Sequence, residues 1–426
     1  MPPTLRAPLY RRRVIDEELD ALIGQGASAI ALVGAKAVGK SATAAERAAI
    51  AFALDDPAVR SLIEAEPALL LGGDSVLIDE WQHLPQSWDV VRRAVDAGAE
   101  TQFLLTGSAS QTNPGTHSGA GPILVLRMRP QSLVERGLAE PTVSLGALLS
   151  GELPPVTGTC EVTLSGYAAE IVRSGFPGIR DLSPRLRRGQ LAGYVQRVID
   201  RDMAELGRSV RNPAALERWL RAYAASSATT ASFETIRDAA TSGQGEKPAR
   251  TTTIPYRDAL ERLYVLDPIP AWMPRARPIN QVAAAPKHHL ADPALATTLL
   301  GIDETNLLGR GAAASKGVAM LAALFESLVT QSVRIYAQHN EAQVGHLRLH
   351  RGEREVDLIV ENADGTVVAI EIKLTAAVDD DDVKHLAWLR EQIGDDLRDA
   401  VVLTPGASAY RRRDGIAVVP AALLGP

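Results

Sequence analysis

Residues Gly34 to Ser41 read G-A-K-A-V-G-K-S, a full G-x-x-x-x-G-K-[ST] pattern. The chemistry this spacing serves is triphosphate binding. Glycines let successive backbone N–H groups turn inward around phosphate oxygens, and a following helix adds partial positive charge. Lys40 has the reach to contact the β- and γ-phosphates, and the Ser41 hydroxyl is a Mg²⁺ ligand type. The expected ligand is therefore ATP with Mg²⁺, held by Gly34, Ala37, Val38, Gly39, Lys40, Ser41 and Ala42. Downstream, Ser75-Val76-Leu77-Ile78-Asp79-Glu80 is an apolar run ending in two carboxylates. Asp79 suits the Mg²⁺ shell, and Glu80 suits orientation or deprotonation of an attacking water. A further run, Gln102 to Ser108, ends in small polar residues; Thr106 or Ser108 could sense a γ-phosphate, or the Thr-Gly-Ser could be a plain turn.

These groups need a scaffold. The loop follows the apolar run Ala29–Val33 and precedes an Ala-rich stretch, Ala42–Leu54, which predicts strand, loop and helix. With helical stretches at Ala42–Leu54 and Trp88–Asp96 between three apolar strands, the expectation is a parallel sheet covered by helices, with nucleotide at the carboxyl ends of the strands.

The C-terminal third carries a second constellation. Glu326 lies on an apolar-periodic helix, Asp357 on the strand Glu355–Val360, and Glu371-Ile372-Lys373 on the next strand after a turn at Asn362–Gly365. Asp357 followed by Glu371-x-Lys373 resembles the D…E-x-K site of restriction-endonuclease-like folds. Asp357 and Glu371 would hold Mg²⁺ on one face of a hairpin, Lys373 would activate water or stabilise the phosphorane, and Glu326 would add a third carboxylate. The same fold also serves as a binding module for DNA or protein, so cutting and docking stand as alternatives. Asp379 to Asp382 read as an acidic helix N-terminus favoured by the helix dipole. His288 and His289 suggest metal, but no third ligand stands at a familiar spacing, and an exposed or structural pair is the simpler reading.

Between these ends the pattern is helical. Gly146–Thr157 is loop-rich, and helical periodicity runs through Tyr167–Arg173 and Arg185–Leu206, where Arg197 and Arg201 are expected to face outward. Nine arginines against four acids from Arg185 to Arg221 fit either a solvated face or a DNA contact. Helices at Pro213–Ser226, Phe233–Ala240 and Tyr256–Leu263, a polar turn at Lys247–Ile254 and a strand after Tyr264 predict a winged helix. It would serve either as a DNA reader, with Arg250 to Tyr256 at the bases, or as a spacer or protein-docking module.

Several blocks carry a family resemblance: Asp79-Glu80-Trp81-Gln82 with Pro85, Leu105-Thr106-Gly107-Ser108, Leu126-Arg127-Met128-Arg129-Pro130-Gln131-Ser132-Leu133 with Glu135, and Tyr10, Arg12 and Asp16 ahead of the loop. Together they resemble prokaryotic AAA-type ATPases fused to a domain of unknown function 4143. The resemblance covers essentially the whole chain and implies an ATPase more than a biological role. One departure stands at His117–Pro122, where Pro122 replaces the arginine usual in that segment. Arg127 and Arg129 remain as candidates for γ-phosphate contact, or as a basic strand edge.

The expected architecture is α/β in three parts: a P-loop AAA-like domain over 1–145, a helical and winged-helix region over 146–285, and a restriction-endonuclease-like domain over 286–426. The 426 residues exceed one typical core. A net charge of −6 restricts any nucleic-acid contact to a local patch. The single cysteine, Cys160, excludes an internal disulfide and a cysteine-based zinc site. No apolar leader follows the basic N-terminus, and no run is read as reaching the roughly 18 apolar residues of a membrane span. A cytoplasmic setting is expected, with DNA, a protein partner or self-association open as partners. The Ala-, Arg-, Asp- and Gly-rich composition is of the kind associated with GC-rich bacterial genomes.

Overall fold

The computed structural model describes residues 10–108, 121–208, 210, 212–241, 250–274, 282–283, 285–309, 314–349 and 352–426. Of the segments singled out in the sequence, His117 to Ala120 and Lys247 to Ala249 lie outside the described residues. The chain divides into two compact units: residues 1–130 with 176–178 and 258–265, and residues 131–175, 179–257 and 266–426.

The first unit is built on five parallel strands, β1 (Ala29–Val33), β2 (Ile50–Ala53), β3 (Ser75–Asp79), β4 (Gln102–Gly107) and β5 (Ile123–Arg127), in the order β2-β3-β4-β1-β5. Strand β1 is buried along its whole length, which is why it reads as a continuous apolar run without alternation. The helix Gln86–Asp96 buries Trp88, Val91 and Ala94, and Trp81 packs on Trp88 with ring centroids 4.9 Å apart. The helix expected over Ala42–Leu54 is a correction. It is only Lys40–Ala45, and Ile50–Ala53 is instead a strand paired to β3. Alanine favours helix locally, but pairing with a buried neighbour decides four residues that propensity leaves ambiguous.

The second unit holds a seven-stranded mixed sheet and a set of helices. Its strands are β6 (Val143–Ser144), β7 (Gly158–Thr159), β8 (Gln343–Arg348), β9 (Glu355–Glu361), β10 (Val367–Ile372), β11 (Leu397–Thr404), β12 (Ser408–Arg411), β13 (Ala417–Pro420) and β14 (Leu424–Gly425). The order of the large sheet is β7-β12-β13-β11-β10-β9-β8, and β14 pairs separately with β6. Residues 143–159, read from sequence as the start of the middle region, are thus stitched by β6 and β7 to the last strands of the chain. The helix Asp380–Ile393 crosses from β10 to the parallel β11 and buries Val383, Leu386, Leu389 and Ile393 in the sheet's core. Its cap is Asp379, whose carboxylate accepts from the amides of Asp381 and Asp382, so the acidic run is a helix start.

The middle helices Pro213–Ala225 and Phe233–Ala240 stand as expected. The third begins at Arg250 and runs through Pro255 to Arg262, so the polar turn expected up to Ile254 is helix from Arg250. The segment after it forms isolated antiparallel bridges, Leu266 with Leu290 and Ile269 with Lys287, rather than a full ladder. The helix Ala314–His339 contains, over Gly317–His339, a stretch long and apolar enough to cross a membrane, contrary to the expectation from sequence. It is a core helix here: Leu324, Phe325, Leu328, Val333 and Tyr336 are buried. Two of its polar groups bond within the unit, Ser332 Oγ accepting from the Leu133 amide at 3.0 Å and Tyr336 Oη from the Val134 amide at 3.2 Å.

Candidate functional site

The phosphate-binding loop closes on itself. Lys40 is buried, and its ammonium donates to the carbonyls of Gly34 and Ala35, both at 2.9 Å. Burial pulls its pKa down to about 8, against the charges of Glu80 and Asp79. Ala37 and Gly39 take positive φ, 66° and 105°, which turns the backbone through the loop. Gly34 is required by close approach: a Cβ there would lie 2.1 Å from the Met128 carbonyl oxygen. The short helix that follows lends little dipole, so backbone amides and Lys40 carry the positive field of the loop.

Strand β4, bearing Thr106 and Ser108 at its end, lies between the strand that feeds the loop and the strand that ends in Asp79. That order brings three expected groups together. Ser41 Oγ donates to Asp79 Oδ1 at 2.6 Å, and Thr106 Oγ1 donates to the same oxygen. Burial raises the Asp79 pKa, and the two hydroxyls oppose the rise. Glu80 sits at φ 52°, a left-handed conformation uncommon outside glycine. Its Oε2 accepts from Ser108 Oγ at 3.2 Å and from Gln82 Nε2. Of the two arginines, Arg127 stacks 4.8 Å over the Tyr264 ring, and the Arg129 carbonyl accepts from Arg13 Nη2 at 2.9 Å.

Sequence reasoning gave Gln82 no role of its own and missed Arg13. Arg13 is buried and bonds the loop carbonyl of Val38 at 3.0 Å, while Arg12, the arginine expected from the sequence, is exposed and paired with Asp20. Tyr10 and Asp16 do converge on the loop's helix: Tyr10 Oη donates to Asp16 at 2.6 Å and lies 2.9 Å from Thr43 Oγ1.

In the second unit, the register of β9 with β10, continued one step past Leu358 and Ile370, sets Asp357 across from Glu371. Lys373 Nζ lies 3.1 Å from Glu371. Glu326, Asp357, Glu371 and Lys373 are therefore close, as expected. The unexpected member is Lys287, 1 % exposed. Its ammonium lies 2.9 Å from Glu326 Oε1, 2.9 Å from Asp357 Oδ1 and 3.2 Å from Glu355 Oε1. Burial would lower the pKa of Lys287, but Asp357, Glu326 and Glu355 outweigh it and hold the ammonium charged. Burial and the Asp357 charge push Glu326 up to about 8, and burial with Asp357 raises Glu371 well above its ordinary value. Asp357 stays low because Lys287 and the Ile372 amide, which donates at 2.9 Å, outweigh burial. Among the described residues no group of three or more His, Cys, Asp and Glu is placed to hold a metal ion. As it stands, with an ammonium among the acids, the set does not fit the Mg²⁺ expected at Asp357 and Glu371. The signal for Lys287 lay in a lysine on an otherwise apolar and histidine-bearing extended segment, since a buried ammonium needs acceptors and outside a phosphate loop these are most often acids.

His288 and His289 are a structural pair. Both are buried, His288 Nε2 bonding the Ala231 carbonyl at 2.7 Å and His289 Nδ1 the Ser327 hydroxyl at 2.9 Å. Arg197 and Arg201 do face outward.

Residues 27–136 match the model of an AAA domain, residues 165–306 a domain of unknown function (DUF8612), and residues 321–424 a domain of unknown function (DUF4143). The chain joins an AAA domain to a DUF4143 domain. A solved structure similar to it is a Walker-type ATPase of Pyrococcus abyssi, 16% identical, covering 70% of this chain and 98% of that one, with a TM-score of 0.42. No curated protein matches. The P-loop of the AAA domain is a nucleotide-binding fold, and the loop, Asp79 and Glu80 all fall within the matched span.

Proposed function

We propose that the AAA domain is a Mg²⁺-dependent ATPase. The observation that carries this reading is the state of Lys40, whose ammonium is held by loop carbonyls rather than by an acid. It is free to exchange these acceptors for the β- and γ-phosphate oxygens of ATP. The backbone of Gly34, Ala37, Val38, Gly39 and Ala42 lines the phosphates. Ser41 and Asp79, already joined at 2.6 Å, are the residues that would hold Mg²⁺. When bound, the ion neutralises charge on the phosphates. Thr106 fixes the Asp79 carboxylate, Glu80 orients the attacking water and accepts its proton, and Ser108 positions Glu80. Arg127 or Arg129 would contact the γ-phosphate.

ATP turnover tests this. Lys40→Ala and Glu80→Gln are each expected to lose about 10²–10³-fold in kcat, the scale of removing one preorganised charge-stabilising group. Turnover that survives either change sinks the assignment. With turnover lost in Glu80→Gln, retained ATP binding separates chemistry from binding.

For the second unit we favour a docking role over cutting, in a three-part chain whose middle region passes nucleotide state to an endonuclease-like C-terminal domain. What favours it is Lys287 among the acids. Wild type is expected not to nick plasmid DNA in Mg²⁺ under any nucleotide condition. Nicking that is lost in Asp357→Ala would overturn the docking reading.

A further inference from the structure

The carboxylates of the second unit come from separate places: Glu326 from the helix Ala314–His339, Glu355 and Asp357 from β9, and Glu371 from β10. Asp357 and Glu371 are buried and Glu326 and Glu355 partly so, and acids gathered in such a place require a cation. Its cation is part of the chain. Lys287 arrives on the extended segment paired to Ile269, its backbone fixed there by two hydrogen bonds of 2.9 Å, so the side chain enters from a separately anchored element.

We propose that Lys287 is a built-in cation that excludes a divalent metal from the Glu326, Glu355, Asp357 and Glu371 cluster, which becomes a Mg²⁺ or Mn²⁺ site only when that lysine is removed. Three acceptors for the three N–H donors of one ammonium leave Lys287 saturated. An ion bridging the same oxygens would stand beside the ammonium in a buried place, where like charges repel strongly. The ammonium and the metal are therefore alternatives. The cluster also contains a group that Lys287 leaves unused: Glu371 is 3 % exposed, and its Oε1 has no hydrogen-bond partner. With the ammonium gone, oxygens now 2.9–3.2 Å from Nζ need to draw in only to the roughly 2.0–2.1 Å of a Mg²⁺ ligand shell. Glu371 then supplies a further oxygen. Lys373 remains beside Glu371 in either state.

The inference deepens the docking reading of the second unit, and the two fail separately. Mn²⁺ binding to the nucleotide-free full chain, followed by the signal of free Mn²⁺, is measured with Asp79→Asn present throughout to silence the phosphate loop. The Lys287-intact chain is expected to bind no Mn²⁺ that Asp357→Asn removes. Lys287→Met is expected to gain a site binding Mn²⁺ about tenfold or more tighter than any in the intact chain, a difference of about 1.4 kcal/mol or more. The gain is lost again with Asp357→Asn. Mn²⁺ should likewise raise the melting temperature of Lys287→Met and leave that of the intact chain unmoved. If the intact chain binds Mn²⁺ in an Asp357-dependent way, the proposal is overturned, whether or not DNA is cut. A folded Lys287→Met chain that gains no site also overturns it. Should Lys287→Met not fold, Lys287→Gln takes its place, and the intact-chain measurement decides by itself.

Discussion

Each unit of this protein places a buried lysine near aspartate and glutamate, and the two lysines are used in opposite ways. Lys40 donates to the backbone carbonyls of Gly34 and Ala35, while Asp79 is satisfied by the hydroxyls of Ser41 and Thr106. Lys287 donates directly to Glu326, Glu355 and Asp357. In the first arrangement the positive charge is held on weak, neutral acceptors and the acid on neutral donors, so both stay available to a ligand carrying phosphate and metal. In the second the ammonium and the carboxylates satisfy one another inside the fold. What separates a binding site from a structural ion cluster is thus the partner of the lysine rather than the residue types present.

One substitution made in both places gives the largest contrast. Lys287→Met leaves three carboxylates facing one another in a buried place, and it should cost about 3–5 kcal/mol, the range for breaking a buried pair from one side. Lys40→Met removes a desolvated ammonium whose lost partners are two loop carbonyls, and stability should change by no more than about 1 kcal/mol. Denaturation midpoints at unchanged slope measure both. Equal losses would erase the distinction between the two lysines.

Acid should also tell the units apart. His346 is buried in the second unit, its Nε2 2.9 Å from the Ala285 carbonyl, and burial with the nearby Lys287 charge pushes its pKa down to about 4. His288 and His289 are lowered too, chiefly by burial. A histidine kept neutral in the fold binds its proton first in the unfolded chain. Its stabilising share is complete above the unfolded pKa near 6.5 and is lost as pH falls from there toward the folded value. His346 alone is then worth about 3 kcal/mol by pH 4, at roughly 1.4 kcal/mol per pKa unit. In the described part of the first unit the histidine is His83, which is only half-buried. Glu326 and Glu371, raised in the fold, work the other way and gain stability over the same fall in pH, so the share of His346 is read as a difference: from pH 7 to 4.5 the unfolding midpoint of His346→Gln should gain on that of the intact chain. Parallel midpoints for the two chains across that range would break the expectation.

The first site was legible because a loop motif is local: eight consecutive residues specify both the turn and the ligand groups. Asp79, Glu80, Thr106 and Ser108 followed, since each ends a buried strand and parallel strands deliver their ends to one edge. Arg13 was not legible, because its role depends on which of three adjacent arginines faces the loop, a matter of backbone direction. The strand Ile50–Ala53 was hidden by its alanines. The acids of the second cluster are found through the hairpin register, yet Lys287 is masked by the neighbouring histidines. Its partners lie 39 to 70 residues away, and nothing in a short window of sequence announces a pairing that only the tertiary fold makes. The membrane-length apolar stretch at Gly317–His339 is hidden for a related reason: its serines, threonine and glutamines interrupt the run, and the fold bonds Ser327, Ser332 and the Gln331 amide nitrogen internally.

The finest test of the comparison lies at Gln82. Its amide donates to Glu80 Oε2 and lies 3.3 Å from Ser108 Oγ, so the proposed water-orienting carboxylate is tethered to its own strand end. Lys287 ties its acids with a full charge; Gln82 ties Glu80 with a neutral donor, which a reorganised site can release. Gln82→Ala removes that tether and leaves the Ser108 bond at 3.2 Å. The net worth of such a bond is about 1 kcal/mol, so steady-state ATP turnover should move severalfold, with ATP affinity unchanged because no phosphate-binding group is touched. A rise in kcat means the tether holds Glu80 back until ATP is bound, and a fall means it aims Glu80 at the water. A change in ATP affinity without a change in kcat would place Gln82 in the binding surface and refute its pairing with Glu80 as the functional one.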